Sequence, residues 1–589
     1  MGLTRRPHTL TPNKTRAKPQ LHIFADVESY LGPYEGDWRK HTFRLGQALF
    51  WRRRTDGKPD QLEWYRIESP DTFWTWVEAH TRSRTKLVFV THNLNYDLAM
   101  LKIFQTLPKM DWTLTKFYSE QGCKIFVFRK EKRTIQFVDN GNWFKGTLAS
   151  WGERIGYPKL TVDFDNVSDE DLENYCRRDV DILYRLWIEW YQFLQDHDTG
   201  AWGITVPSQA FNCYRHRFMF HPIFIHNEEQ VLDLERRSYH GGRTEVFRTG
   251  TFTGDTFYKL DVNSMYPHAM KTNEYPTSLR GYSPATSMKG LQYHMDRYDV
   301  IAKVRIKTDT PYFPLNYRSH LCYPVGDFET VLTTPELELA IDRGWLVEVF
   351  ETAWYARAPI FSAFVDYWYK QKSEAEQSSD RRRYHLVKLI LNSLYGKFGQ
   401  QSSTMTEIGE CDPETFKVIH YFDCGVGYWR TEYYIGGKVF LTERTGNSYH
   451  AFPAIAAHVT AHARLYLYQL IEAIGRENVY YCDTDSLIVG TTGFDRLKPL
   501  IDPHRLGFLK IEGQGDRLAI FAPKDYVLGE DIKVKGVRSD AVWLNDNTVQ
   551  QEHFPSIRGL MDQNFSDGYH SKRVTKHLKR KVQTGDRND

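Results

Sequence analysis

The chain has 589 residues, 41% hydrophobic and 15% aromatic, and its 77 Lys and Arg nearly balance 74 Asp and Glu for a formal charge of +3. That length supports several cores, and the near-neutral balance means that any surface for a polyanion must come from local segregation of charge. Seven cysteines without a C-x-x-C pair argue against a disulfide scaffold and fit a reducing compartment, and no apolar run reaches the roughly 20 residues that cross a bilayer.

In chain order, residues 1–20 are basic, contain no acid and lack the apolar stretch of a signal peptide, so a disordered basic tail is expected there. Leu21-His-Ile-Phe-Ala reads as a buried strand, and alternating strand and helix patterns continue to a boundary at Gln195-Asp-His-Asp-Thr-Gly200, which defines a first domain over 21–200. A mixed region, 201–275, carries Ser238-Tyr-His-Gly-Gly-Arg243 and a strand from Phe257 to Val262. Residues 276–357, rich in Pro, Tyr and short strand signals, read as an inserted subdomain. Two helices are expected in 358–400, from Pro359 to Gln377 and from Arg381 to Phe398. Residues 401–449 are strand-like and glycine-punctuated, a second insertion. Within 450–535 a strong helix, His450 to Ile474, leads into a hairpin. Residues 536–589 end in a stretch, Ser571 to Lys581, with six Lys or Arg and with Val574 and Leu578 aligned with Val582 on one helical face. Cys411, His420 and Cys424 lack a fourth ligand and the spacing of a zinc site.

Three runs carry chemistry. In Tyr480-Tyr-Cys-Asp-Thr-Asp-Ser-Leu-Ile-Val-Gly490, Asp483 and Asp485 interrupt a β-branched run at i and i+2, so extended backbone would aim both carboxylates the same way. Such a pair beside a core calls for a proton or a divalent cation between its members, unless the aspartates simply form a turn. In Lys259-Leu-Asp-Val-Asn-Ser-Met-Tyr-Pro267, Asp261 closes an apolar strand, where it serves either a cleft or the structure. In Lys388-Leu-Ile-Leu-Asn-Ser-Leu-Tyr-Gly396, Lys388, Asn392 and Tyr395 fall on one helical face suited to a phosphate and a base. Arg381, Arg382 and Arg383 add charge there or form a solvated helix start. A second acid set is scattered through the first domain. Asp26 and Glu28 share a face at the end of the first strand. Asp97 follows the apolar strand Leu87 to Val90, and Tyr175 and Asp179 are helical neighbours, whereas Asp181 faces away.

Together the three runs resemble motifs A, B and C of family B DNA polymerases, in that chain order, and the second set resembles the exonuclease motifs of proofreading polymerases. The arrangement is most similar to the protein-primed phage replicases of the phi-twenty-nine type. The resemblance implies an α+β multidomain fold: an RNase H-like 3′–5′ exonuclease domain (21–200) and a right-hand polymerase. Its palm would be 201–275 and 450–535, its fingers 358–400, its terminal-protein regions 276–357 and 401–449, and its thumb and basic tail 536–589.

It implies Asp261 and Asp485 as metal ligands with Asp483 close by, Lys388 on the incoming triphosphate, Tyr266 as a steric gate, and Asn392 and Tyr395 at the nascent base pair. Tyr239, Gly241 and Gly242 match a Tyr-x-Gly-Gly template motif, and Lys524 and Tyr526 a Lys-x-Tyr primer motif. In the exonuclease, Asp26, Glu28, Asp97 and Asp179 would bind two metals, Tyr175 would orient water and Lys159 would hold the scissile phosphate. Asn93, Thr147 and Leu148 would bind the single strand. Tyr96 and Met265 replace the more usual Phe and Leu. The implied cofactor is Mg²⁺, two ions per site, or Mn²⁺. The implied partners are template-primer DNA, dNTPs and a terminal (priming) protein, for a monomer without a membrane in the cytoplasm, that of the host if phage-encoded. Phosphoryl transfer fits these residue types because it rests on charge neutralisation and in-line positioning. Use of ordinary primers or none, and a nuclease on a polymerase-like scaffold, stay open.

Overall fold

Leu21, Ile23, Phe24 and Ala25 are all buried, as a strand covered on both faces requires, and they open the central strand Leu21–Glu35 of a ten-stranded sheet. The computed structural model describes residues 5–54, 56–120, 123–164, 166–318, 320–578, 580 and 585–586. The order in this sheet is Val542–Asn545, Thr548–His553, Tyr569–His577, Trp38–Arg52, Leu21–Glu35, Lys86–Thr91, Arg133–Asp139, Cys123–Lys130 and Thr113–Glu120, with Gln61–Ile67 also paired to Trp38–Arg52. Leu21–Glu35, Lys86–Thr91 and Arg133–Asp139 run parallel to one another. The helix Asp169–Asp196, N-capped by Ser168, packs its Val180, Leu183 and Trp187 against Phe24, Leu49 and Trp51.

A second, antiparallel sheet of eight strands runs Thr244–Val246, Val479–Asp483, Ser486–Val489, Arg248–Val262, Leu509–Ala522, Asp525–Leu528 and Asp531–Val534, with Gly585–Asp586 paired to Arg248–Val262. One face buries Leu260, Val262, Cys482, Leu487 and Leu509 against the helix Pro453–Ile474 through Ala463, Leu467 and Ile471. The segment expected as the first insertion forms a four-stranded sheet, Tyr275–Ser283, Leu346–Ala358, Asp299–Thr308 and Gly326–Thr333, with the helices Met288–Met295 and Thr334–Asp342. The segment expected as the second forms another, Gln401–Glu410, Lys438–Asn447, Tyr428–Ile435 and Lys417–Asp423, which sends Phe416, Tyr433, Ile435 and Phe440 into the core of the first domain. Between them stand the helices Ser362–Gln377 and Arg381–Leu391. The architecture is thus the expected α+β multidomain one. Among the described residues no helix is long and apolar enough to cross a membrane.

Three expectations are corrected. Residues 5–20 are not a disordered tail: His8–Thr9 pairs with Phe224–Ile225, Leu10 is 1% exposed, and Arg5 donates to the carbonyls of Ala451 and His226 at 2.5 and 2.6 Å. The basic C-terminal stretch is not a helix. Tyr569–His577 is a strand whose Tyr569 pairs with His41, so the segment read as a thumb extends the edge of the first sheet, while Val582 lies outside the described residues. The first strand does not end at Glu28 but continues to Glu35 in a hairpin with Trp38–Arg52, with a register shift after Glu28.

Candidate active sites

Strand alternation decides where the acids of the second sheet point. Leu260 and Val262 are buried under the Pro453–Ile474 helix, so Lys259 and Asp261 emerge on the opposite face. Asp483 closes the strand Val479–Asp483, and the chain reverses at Thr484, whose φ of +62° and an Asp485 N to Asp483 O bond of 2.7 Å make the turn tight. Asp485 therefore sits in the turn and not, as the i, i+2 spacing suggested, on the strand. Asp261 pairs with Ser486, and Val262 N donates to Asp485 O at 2.8 Å, which sets Asp261 beside Asp485. Burial, then Asp261 and Glu512, pushes the Asp485 carboxyl up to about 7. Burial likewise raises Asp261, opposed by Lys510 at 3.0 Å from its Oδ2. Asp483 accepts from Thr244 Oγ1 at 2.9 Å, with Lys524 Nζ at 3.4 Å.

The surrounding elements supply cations and rings. Lys388 is on the helix Arg381–Leu391, within electrostatic reach of Asp261. The helix ends there: Ser393 Oγ bonds back to Leu389 O at 2.6 Å, Asn392 is the exposed C-cap, and Tyr395 begins a 3₁₀ turn. Lys388, Asn392 and Tyr395 therefore do not share one helical face. Tyr395 instead stacks on Tyr266, with centroids 4.7 Å apart and planes 11° apart. Tyr266 lies in the helix Met265–Thr272, entered through Ser264 at φ +55°.

Tyr239 packs its ring where a Gly399 Cβ would stand at 2.6 Å, and Gly242 lies against Thr484 and Tyr266. The carbonyls of His240 and Gly241 accept from Arg464 Nη1 at 2.9 and 3.1 Å. Lys524 N donates to Tyr481 Oη at 3.1 Å, and the buried Tyr526 ring lies 5.4 Å from that of Tyr481.

Three residues at this site escaped the sequence reading. Lys372, 5% exposed, donates to Asn263 Oδ1 at 2.6 Å and Ser264 Oγ at 3.0 Å, and burial followed by Lys388 and Lys510 lowers it to about 8. Lys510 and Glu512 lie two apart on Leu509–Ala522: Lys510 pairs directly with Asp261, and Glu512 sits at a register shift, where it meets Lys259 at 3.0 Å. The signal was present in Leu509-Lys-Ile-Glu512, a charged residue at every second position of a strand.

The acids of the first domain form a second group. Asp26 and Glu28 project from the middle of Leu21–Glu35, Asp97 from the helix Leu94–Met100, and Tyr175 and Asp179 from Asp169–Asp196. Asp179 is ion-paired with Lys159, whose ammonium also lies 4.5 Å from the Tyr175 ring centroid. Burial acts first on every acid and the Asp26 charge next on Glu28, Asp97 and Asp179; Glu28 rises to about 9, Asp179 to about 7, and Asp26 and Asp97 rise as well. Asn93, the N-cap of the Asp97 helix at φ +74°, is exposed, and its Oδ1 lies 3.4 Å from Lys124 Nζ. Thr147 caps the helix Leu148–Arg154 by accepting from Ser150 N, and Leu148 is buried. Tyr96 Oη donates to Ser29 Oγ at 2.6 Å and its ring meets that of Tyr569, 5.0 Å away, so the C-terminal strand abuts this site.

Both groups fit divalent cations by the chemistry of their donors. Asp26 Oδ2, Asp97 Oδ2 and Asp179 Oδ1 are buried without any protein donor, an arrangement that a hard cation relieves. They are not drawn into a closed cage: among the described residues no three His, Cys, Asp or Glu side chains stand ready to hold an ion without rearrangement.

A fold and site of this kind belong to the type B DNA polymerases. The chain is a member of that family in its organellar and viral branch, whose family model matches residues 162–473, more than half of its length. It is 25% identical over 519 residues to a DNA polymerase of Bacillus phage M2, covering 81% of this chain and 83% of that one. With a DNA-directed DNA polymerase of Enterobacteria phage PRD1 it shares 29% identity over 331 residues, 55% of each chain. A probable DNA polymerase of Neurospora intermedia is 24% identical over 377 residues, 61% of this chain and 37% of the relative. The chain thus spans about a third to half of the length of those last two relatives. The fold is similar to that of phi29 DNA polymerase solved with primer-template DNA and incoming nucleotide substrates. The TM-score is 0.68 at 17% identity, over 96% of this chain and 100% of that one.

Proposed function

We propose that this chain is a DNA-directed DNA polymerase with a 3′–5′ proofreading exonuclease, protein-primed, processive and strand-displacing, which replicates a small linear genome. The observation that carries the reading is the placement of Asp261 beside Asp485 on the open face of the second sheet, joined by the 2.8 Å bond from Val262 N to Asp485 O. Asp261 and Asp485 would hold divalent ions, Mg²⁺ or Mn²⁺, with Asp483 adjacent, and Asp26, Glu28, Asp97 and Asp179 would hold another pair. When bound, such ions neutralise phosphate charge and increase the acidity of an attacking hydroxyl or water.

The chain's own groups do the positioning. Lys388 and Lys372 hold the triphosphate, Tyr266 closes the space beside the sugar, and Asn392 and Tyr395 line the base pair. Tyr239, Gly241 and Gly242 face the template, and Lys524 and Tyr526 face the primer. In the exonuclease, Lys159 holds the scissile phosphate and Tyr175 orients water, while Asn93 and Thr147 guide the single strand and the buried Leu148 packs beneath them. A terminal protein bearing the priming hydroxyl docks on residues 276–357, and the protein works as a monomer in the cytoplasm, that of the host if phage-encoded.

Asp485→Ala should abolish nucleotide incorporation and spare primer degradation, and Asp26→Ala should do the reverse. Incorporation by Asp485→Ala at the unaltered rate would refute the palm assignment. Initiation assays with and without a priming protein separate protein priming from the use of ordinary primers. Rolling-circle products longer than a primed single-stranded circle, made without helicase, test strand displacement.

A further inference from the structure

Every acid of the polymerase site except one already holds a lysine. Asp261 Oδ2 takes Lys510 Nζ at 3.0 Å, the same ammonium lies 3.1 Å from Glu512 Oε1, and Glu512 also takes Lys259 at 3.0 Å. Asp483 takes Lys524 at 3.4 Å. Asp485 is the exception: among the described residues it forms no ion pair with a lysine, and Asp261, Glu512 and Asp483 are the charges that raise it. The arrangement around Asp261 is built into the sheet. Leu509 is buried, so Lys510 and Glu512 emerge on the open face, and the register sets Lys510 directly opposite Asp261. Lys372 and Lys388 also act electrostatically on this place: Lys510 and Lys388 both lower Lys372, and Asp261 is an acid that all three lysines feel.

We propose that Lys510 is a resident cation of the polymerase site: it occupies the Asp261 carboxylate until a divalent ion takes it, and the released ammonium then turns to the phosphates of the incoming nucleotide. This rests on the polymerase reading above. An ammonium satisfies a carboxylate at one charge and yields to a doubly charged ion of smaller radius. It also keeps Asp261 and Glu512, two like charges on neighbouring strands, from repelling each other before the ion arrives. Lys510 is a positioning residue by this argument, and it acts in two opposite directions: against the metal and for the nucleotide.

That opposition gives the test. In the full chain carrying Asp26→Ala, so that the exonuclease acids contribute less, Mn²⁺ binding is titrated by the loss of free Mn²⁺ signal in electron paramagnetic resonance, without DNA or nucleotide. Lys510→Met and Lys510→Gln should bind the ion about tenfold more tightly than the parent, by removal of one nearby positive charge. In primer extension at saturating metal, the same variants should raise KM for dNTP roughly several-fold with a smaller change in kcat, by loss of one positive charge facing the phosphates. Lys510→Arg keeps the charge and should stay near the parent in both measurements. Unchanged or weaker Mn²⁺ binding by both neutral variants, with melting temperatures near the parent's, would overturn the proposal. Asp485→Ala in the same background separates this from failure of the polymerase reading. If Asp485→Ala removes the Mn²⁺ site while the Lys510 variants leave it unchanged, Lys510 alone is misassigned. If Asp485→Ala leaves the site intact, the polymerase reading falls and the proposal with it.

Discussion

Replacing Gly242 with alanine should cripple nucleotide incorporation while leaving degradation of single-stranded DNA untouched. A Cβ at 242 would stand 2.8 Å from Thr484 Cγ2, 3.0 Å from Tyr266 Oη and 3.1 Å from Thr484 Oγ1. Neither neighbour has slack. Thr484 is β-branched, sits at φ +62° and bonds its hydroxyl to Asp483 Oδ1 at 3.2 Å, so moving it drags the turn that carries both acids. Tyr266 is fixed by its stack on Tyr395. Overpacking of this kind costs about 1–3 kcal/mol. Expressed wholly in the reacting geometry, that is roughly a 5- to 150-fold loss of rate. Gly241 is the control, because a Cβ there meets nothing within 4 Å. Gly241→Ala should melt like the parent and weaken only template binding. Single-turnover incorporation on a primed template is the measurement, with degradation of single strands by the same preparation as the check on folding. Incorporation by Gly242→Ala at the parent's rate would refute the claim that the acidic turn and Tyr266 meet without spare room.

Three further outcomes follow from the geometry. Glu28 is raised to about 9 from an ordinary 4.5, burial first and then Asp26. Between those values the folded state holds a proton that the unfolded chain releases. The stability Glu28 contributes is therefore complete below about 4.5 and is lost as pH rises through about 9. In chelator, the melting temperature relative to Glu28→Gln should fall from pH 7 to pH 9, and a flat difference would contradict the buried, coupled site. Glu336→Ala strands the buried Arg464, whose Nη2 lies 2.8 Å from Glu336 Oε1, and should destabilise by about 3–5 kcal/mol in urea titrations. Deleting residues 1–10 removes the buried Leu10 and the Arg5 bonds to Ala451 and His226, at a cost of about 2 kcal/mol for the leucine alone. Limited proteolysis should then cut faster near residues 446–452.

Much of the candidate site was legible because its residues are placed by local order. Tyr-Cys-Asp-Thr-Asp-Ser makes a tight hairpin from its own residues, and Lys259-Leu-Asp alternates charged and apolar whatever surrounds it. The helices Ser362–Gln377 and Pro453–Ile474 announced themselves through apolar spacing at 3.6 residues. Tertiary structure decided what spacing leaves undetermined. Val574 and Leu578 suit a helix face, yet Tyr569–His577 becomes a strand because Trp38–Arg52 offers an unpaired edge and Tyr569 a buried seat beside His41 and Tyr96. Lys388, Asn392 and Tyr395 fit one helical face on paper. The serine back-bond and the stack on Tyr266 end the helix instead. Lys510 gains its meaning only from the register that sets it across from Asp261, and Glu512 from the register shift that brings it to Lys259. Periodicity is a property of one segment, whereas pairing is a competition among segments, and the winning partner is set by the surface each pairing buries.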